Sequence, residues 1–297
     1  MRKEKIWIYI AAVLATFFWG FSFVWFKQAI VVYKPLTIVF IRLVIASVLL
    51  SGYIALFKKG QKIAPKDIKL FFLLAFFEPF CYFLGESFGL TYVSATIGSI
   101  IIATIPLFTP FFSYMIIKER LTIYGIVGLV ISFAGVLLIV TGDYWGVTTI
   151  KGVLLMFFAV FSAICYGIVV KKLTVTYSGF TIVKWQNLIG LFMFLPFFLI
   201  FEYSHFISVK PSFDVIFTII KLAVFASTLA FILIAFVIKK IGLINANIFA
   251  NLIPVFTVVI AYFILKEPLD VKRIAGVLIV ICGLFVSQVP QLMKRKI

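Results

Sequence analysis

The sequence predicts an all-α membrane protein: ten transmembrane helices, arranged as two inverted five-helix repeats around a central cavity. Three observations carry that reading. The 297 residues are 64% hydrophobic and only 12% charged, whereas a soluble domain has about 45–50% apolar and about 25% charged residues. Apolar runs long enough to cross a hydrocarbon core, which takes about 20 residues, recur from one end of the chain to the other. One apolar sentence is also written twice. Residues 106–119 read PLFTPFFSYMIIKE and residues 254–267 read PVFTVVIAYFILKE, at a constant offset of 148 (254 − 106).

The expected spans are 6–28, 36–57, 68–90, 94–117, 121–141, 151–171, 180–201, 212–238, 243–265 and 270–290. The opening MRKEKIWIYIAAVLATFFWGF resembles a signal peptide, but its apolar run is too long and no small-x-small cleavage site follows. It is taken as a first span that is retained. Basic residues gather in alternate connections: Arg2, Lys3 and Lys5; Lys58, Lys59, Lys62, Lys66 and Lys69; Lys118 and Arg120; Lys171 and Lys172; Lys239 and Lys240; Lys294, Arg295 and Lys296. The opposite side holds Lys34, Lys151 and Lys210. The positive-inside rule then puts both termini in the cytoplasm, with the protein in the cytoplasmic (inner) membrane. One connection resists: Lys266, Lys272 and Arg273 fall on the outer side.

The duplication accounts for the exception. At the same offset Ile100 and Ile105 match Ile248 and Ile253, and Leu121 matches Leu269. Gly128 and Gly135 match Gly276 and Gly283. Two halves, 1–142 and 143–297, each hold five spans. An odd span count forces the halves into opposite orientations, so the second Lys-Glu is external by construction. Inverted repeats are a design of secondary transporters, with the substrate near the midplane.

Three stretches carry a family resemblance: FFWGFSFVWFK (17–27), PLTIVFIRLVIAS (35–47) and GLTYVSATIGSIIIATIPLFTPFFSYMIIKERLTIYGIVGLVISFAGVLLIV (89–140). A second copy of the last pattern spans 244–286. The chain resembles the drug/metabolite transporter superfamily, in particular its EamA-type ten-span members. The resemblance implies a basket of helices with a cavity between inverted halves. It also implies movement of small metabolites such as amino acids, nucleotide sugars or sugar phosphates, and is nearly silent about which. Two departures stand out. Pro268 replaces the basic residue of the Lys-Glu-Arg-Leu pattern in the second copy, and Glu78 and Glu86 lie outside the general pattern.

Ionisable groups inside spans are costly and are functional candidates by default. Arg42 lies ~10 Å below the outer end of its helix, Glu86 ~6 Å and Glu78 ~18 Å, at 1.5 Å per residue. Two readings of Arg42 stand: a pair with Glu86 fastening adjacent helices, or a planar fork holding a substrate carboxylate or phosphate. Glu78 has no obvious partner and precedes Pro79, which disturbs the helix. A desolvated carboxylate can load and release a proton near neutral pH, so Glu78 is the candidate proton-coupling group. The alternative is a neutral Glu78 bonded to a carbonyl freed by the proline.

Asn247 and Asn251 share a helix face; their counterparts in the first copy are the small Ser99 and Ala103. They either bond neighbouring helices or line the cavity, as do Gln186 and Asn187, of which at most one points squarely inward. Trp19, Tyr82 and Trp185 complete the cavity candidates, while Trp7 and Trp145 fit interface anchors. Pro79, Pro106 and Pro254 are candidate hinges, with shaping of the bundle as the alternative. Gly125, Gly128, Gly135, Gly276 and Gly283 mark close helix contacts.

Other classes fit poorly. No basic face alternates with solvated sequence, against nucleic acid as a partner despite the charge of +17. Cys81, Cys165 and Cys282 lie in apolar runs and His205 in a connection, without metal-ligand spacing; no metal or cofactor is expected. An intramembrane enzyme would need a nucleophile–base, metal or Asp-pair constellation at depth, and a channel a polar filter or ring of charge. The expected function is alternating-access secondary transport of a small polar, amino-acid-like metabolite, in the direction of export and coupled to protons. A nucleotide-sugar or sugar-phosphate exchanger is the alternative. The partners are that solute and the lipid bilayer; oligomeric state is not encoded.

Overall fold

Backbone groups in hydrocarbon must be satisfied internally, and a helix does this within one segment. The computed structural model describes residues 2–58, 60–117, 123–141, 148–210, 212–267 and 271–293, and every regular element among them is helical. The first part of the chain forms α1 (Arg2–Ala29), α2 (Pro35–Phe57), α3 (Ile68–Ala75), α4 (Tyr82–Gly89), α5 (Ala95–Ile102), α6 (Ile105–Ile117) and α7 (Ile123–Thr141). There follow α8 (Ile150–Leu173), α9 (Gly179–Phe201), α10 (Tyr203–Ser208), α11 (Phe213–Lys221), α12 (Ala230–Ile241), α13 (Leu243–Asn247), α14 (Leu252–Ile264) and α15 (Val271–Met293). Wide π segments, Phe76–Cys81 and Leu222–Leu229, join α3 to α4 and α11 to α12.

Among the described residues seven stretches are long and apolar enough to cross a membrane: Ile6–Ala29, Pro35–Phe57, Pro65–Gly89, Ile150–Leu173, Gly179–Phe201, Phe213–Ile241 and Leu243–Ile264. Ala95–Thr109 and Ile274–Gly283 are shorter apolar helices. The chain is therefore a multi-pass helical membrane protein. Leu56, Phe192, Phe213 and Leu278 stand exposed, as befits faces that meet hydrocarbon.

The breaks have local causes. Proline is tolerated in a first helical turn, where its missing N–H is not needed. Accordingly α5 stops at Ile102 and α6 resumes at Ile105 with Pro106 in its first turn. A 3₁₀ stretch, Ile248–Asn251, precedes α14, with Pro254 in its first turn. Glu78 has φ −149° and ψ 118°, the extended geometry that a following proline favours. Lys118, Glu119, Arg120, Leu121, Trp145, Pro268, Lys59 and residues 294–297 fall outside the described residues.

The most extensive helix pairing joins α7 to α15. A Cβ on Gly135 would sit 2.8 Å from the Gly276 carbonyl oxygen, so glycine lets these backbones meet. Ser94, Thr149, Ser178 and Ser212 cap their helices, each accepting from the N–H three residues on, as N-cap residues do.

Further caps reach across the chain and tie the bundle at both ends. Lys34, before α2, offers no side-chain cap. The buried Glu202 carboxylate instead accepts from Leu36 N–H at 3.2 Å, Thr37 N–H at 2.7 Å and Thr37 Oγ1 at 2.8 Å. Glu267, from the second copy of the repeated sentence, accepts from Ala95 N–H at 2.8 Å and Thr96 N–H at 3.2 Å, at the start of α5. At the opposite end the start of α9 meets Gln61, whose Oε1 accepts from Ser178 N–H at 2.6 Å and Thr181 Oγ1 at 3.3 Å.

Candidate substrate cavity

A cavity of about 80 Å³ lies within the bundle, walled by α1, α2, α4, α8, α12 and the two broken helices α5–α6 and α13–α14. A water needs roughly 10–15 Å³ on this scale, so the space suits several waters or a small solute. Of the residues singled out from sequence, Trp19, Arg42, Glu78, Tyr82, Glu86 and Asn247 line it. Arg42, Glu78, Tyr82 and Glu86 lie within electrostatic range of one another. Phe231, Ile234, Ile238 and Leu243 add apolar lining that extends to the end of α12 and the start of α13, toward the Gln61 end of the bundle.

Arg42, Glu78, Tyr82 and Glu86 are all buried. The Arg42 Nε donates to Ser227 Oγ at 2.7 Å, and its guanidinium carbon lies 4.1 Å from the centroid of the Phe83 ring. One edge and one face of the group are thus fixed, while its terminal amino groups make no hydrogen bond with a described residue. Tyr82 Oη donates to Glu86 Oε1 at 3.0 Å. Glu86 is within electrostatic range of Arg42, yet no hydrogen-bonded ion pair joins them among the described residues. The fastening-pair reading of Arg42 therefore has no direct bond behind it. Glu78 receives no side-chain hydrogen bond from a described residue.

The remaining candidates sit elsewhere. Gln186 and Asn187 are buried at 0% and 1% exposure, and neither lies on the wall. Tyr166, which does, donates through its hydroxyl to Gln186 Oε1 at 2.9 Å. Asn187 Nδ2 donates to the Ser227 carbonyl at 3.2 Å. Asn247 Nδ2 donates to Thr109 Oγ1 at 3.1 Å, while Asn251 lies off the wall with its Oδ1 buried and unpartnered. Trp185 lies under the Lys184 ammonium, 5.4 Å from its ring centroid, and off the wall. Pro79 packs on Gly190, where any Cβ would collide with its ring.

Sequence reasoning missed Ser227, Tyr166 and Phe83. The sequence carries a signal for the helices around the first, though not for the serine itself. Thr37-Ile38-Val39 recurs as Thr181-Ile182-Val183 at an offset of 144 (181 − 37), which aligns Arg42 with Gln186 (186 − 42 = 144). The π segments that present Glu78 and Ser227 follow these two helices at corresponding places. Such segments are enriched at functional sites.

The EamA-like transporter family model matches residues 6–141 and again 150–288, so the chain belongs to that family of transporters. Its relatives include an uncharacterized transporter of Archaeoglobus fulgidus, 27% identical over 95% of this chain and 98% of its own. Another is the uncharacterized transporter YcxC of Bacillus subtilis, 28% identical over 100% of this chain and 97% of its own. One crystal structure superposes with a TM-score of 0.71 over 97% of each chain at 13% identity, a likeness of fold alone.

Proposed function

We propose that the chain is a ten-span carrier built of two inverted halves, 1–142 and 143–297, that moves a small zwitterionic, amino-acid-like metabolite out of the cell by alternating access. The observation that carries this reading is the cavity's charge pattern: one guanidinium and two carboxylates among aromatic and aliphatic lining residues. The free fork of Arg42 suits a substrate carboxylate. Glu78 and Glu86 suit an ammonium group, with Glu78 exchanging a proton for it. Two carboxylates would repel the dianion of a sugar phosphate, which weighs against the exchanger reading.

The twofold family match and the 148-residue offset support inverted halves. Lys58, Lys62, Lys66, Lys171, Lys172, Lys239 and Lys240 gather at the Gln61 end, which supports a cytoplasmic assignment for that end and for both termini. The cavity runs toward that same end, while Glu202 and Glu267 tie the other. That arrangement suits loading from the cytoplasm.

The test is a thermal-shift screen of the purified protein against amino acids, nucleosides and sugar phosphates, followed by counterflow in proteoliposomes. A bound solute raises the melting temperature. Amino acids should do so, and Arg42→Lys, which keeps the charge but loses the fork, should abolish the shift. A shift by sugar phosphates only, or ohmic flux without trans-stimulation, would refute the reading.

A further inference from the structure

Gln186 is wholly buried, and its Nε2 has no hydrogen-bond partner among the described residues. Leaving a buried donor unpaired is unfavourable, and a native structure that does so calls for a reason. Its Oε1 is engaged by Tyr166, so the amino group is directed away from that ring. The face of α9 that bears Gln186 also bears Gly190, one turn on, and Gly190 is packed against Pro79. The Glu78 segment therefore lies on this face. Tyr166 is close enough to Glu78 to interact with it electrostatically. Among the described residues, a buried amide nitrogen and a carboxylate that both lack a side-chain hydrogen bond thus share one neighbourhood.

The repeat gives the geometry a precedent inside the same molecule. Arg42 on α2 reaches the π segment Leu222–Leu229 through its Nε–Ser227 Oγ bond. Gln186 occupies the matching position on α9, and Glu78 lies in the matching π segment, Phe76–Cys81. One member of this related pair of contacts is made, and the other stands open.

We propose that the Gln186 amide is the docking partner of the Glu78 carboxylate, holding it when it is ionised and no substrate ammonium occupies the cavity. Gln186 is then a positioning residue one layer behind the wall. Glu78 alternates between the amide and the cavity, and Tyr166 keeps the amide aimed. The inference rests on the reading of Glu78 as the coupling group. The charged and titratable groups around Glu78 are Arg42 from α2, Tyr82 and Glu86 from α4, and Tyr166 from α8. Cys81 on its own segment and Cys165 on α8 neighbour each other. α9 contributes the neutral Gln186. Arg42 is the sole cation in this set, and its Nε is already committed to Ser227.

Infrared difference spectroscopy on the purified full-length protein, without added solute, tests this. The difference between wild type and Glu78→Gln, taken across a pH step, identifies the Glu78 bands. Gln186→Met keeps the volume and removes the amide; it should shift the Glu78 carboxylate stretch to the position of a carboxylate that accepts one bond fewer. Gln186→Asn, which withdraws the amide by one methylene, should give the same shift with less disturbance of the fold, checked by circular dichroism. A Glu78 band that stays in place in both folded variants overturns the docking while leaving Glu78 as a titrating group. Absence of any pH-dependent Glu78 band refutes the coupling role itself, and the docking with it.

Discussion

The two ends of the bundle are tied by the same device with different chemistry. At one end the carboxylates of Glu202 and Glu267 take the N-termini of α2 and α5. At the other a neutral amide, Gln61, takes the N-terminus of α9. Thr37 and Thr181, repeat-related, each add a hydroxyl to the acceptor at their own end. A helix N-terminus carries partial positive charge, so a carboxylate there is held by charge as well as by hydrogen bonding, whereas the Gln61 amide oxygen, although 2.6 Å from Ser178 N, carries no net charge. The environments differ as well: Glu202 is 4% exposed, while Gln61 is exposed. The helix caps at the Glu202 end are thus the charged ones, and the end toward which the cavity runs has the neutral cap, joined there by Tyr177 Oη donating to the Asp67 carboxylate at 2.7 Å. In the alternating-access carrier proposed above, such asymmetry would set which side rests open.

Removing each clasp in turn breaks the comparison. Glu202→Ala should cost the most, about 2–3 kcal/mol, because it strands the Leu36 and Thr37 N–H groups in a buried site. Thermal unfolding in detergent measures this, and Glu202→Gln should recover about half of the loss. Glu267→Ala should cost less, about 1–2 kcal/mol, since Glu267 is only half-buried and Ser94 still caps the same helix through Ile97 N–H. Gln61→Ala should cost under about 1 kcal/mol, because Ser178 retains its own cap to Thr181 and water can replace the amide. An equal loss at both ends would mean that charge is not what distinguishes them.

The long elements were legible because hydrophobic length is a strong signal. Expected limits of 36–57 and 151–171 meet α2 at Pro35–Phe57 and α8 at Ile150–Leu173. The spans written as continuous at 94–117 and 243–265 are instead interrupted; the prolines signalled trouble, and the breaks fall in the turn before them. The π segments left no trace in periodicity, since one extra residue per turn does not disturb an all-apolar pattern. Arg42, Glu78 and Glu86 were legible by charge alone, because a charge in an apolar run needs a reason. Ser227 and Tyr166 were not, since an isolated Ser or Tyr in a span is ordinary. Glu267 stood in plain view in the repeated Lys-Glu, but its partner at residues 95–96 is a tertiary fact that local sequence does not hold.

The end tied by Glu202 and Glu267 is predicted to be the one closed at rest. Ala246, buried on the cavity wall, can be replaced by cysteine after Cys81, Cys165 and Cys282 are removed. A membrane-impermeant thiol reagent is then applied to vesicles of each orientation. Labelling only from the side bearing the Gln61 end, with labelling from the opposite side gained on adding Glu202→Ala and Glu267→Ala, is the predicted result. Labelling from the Glu202 side in the protein with both glutamates intact would contradict it.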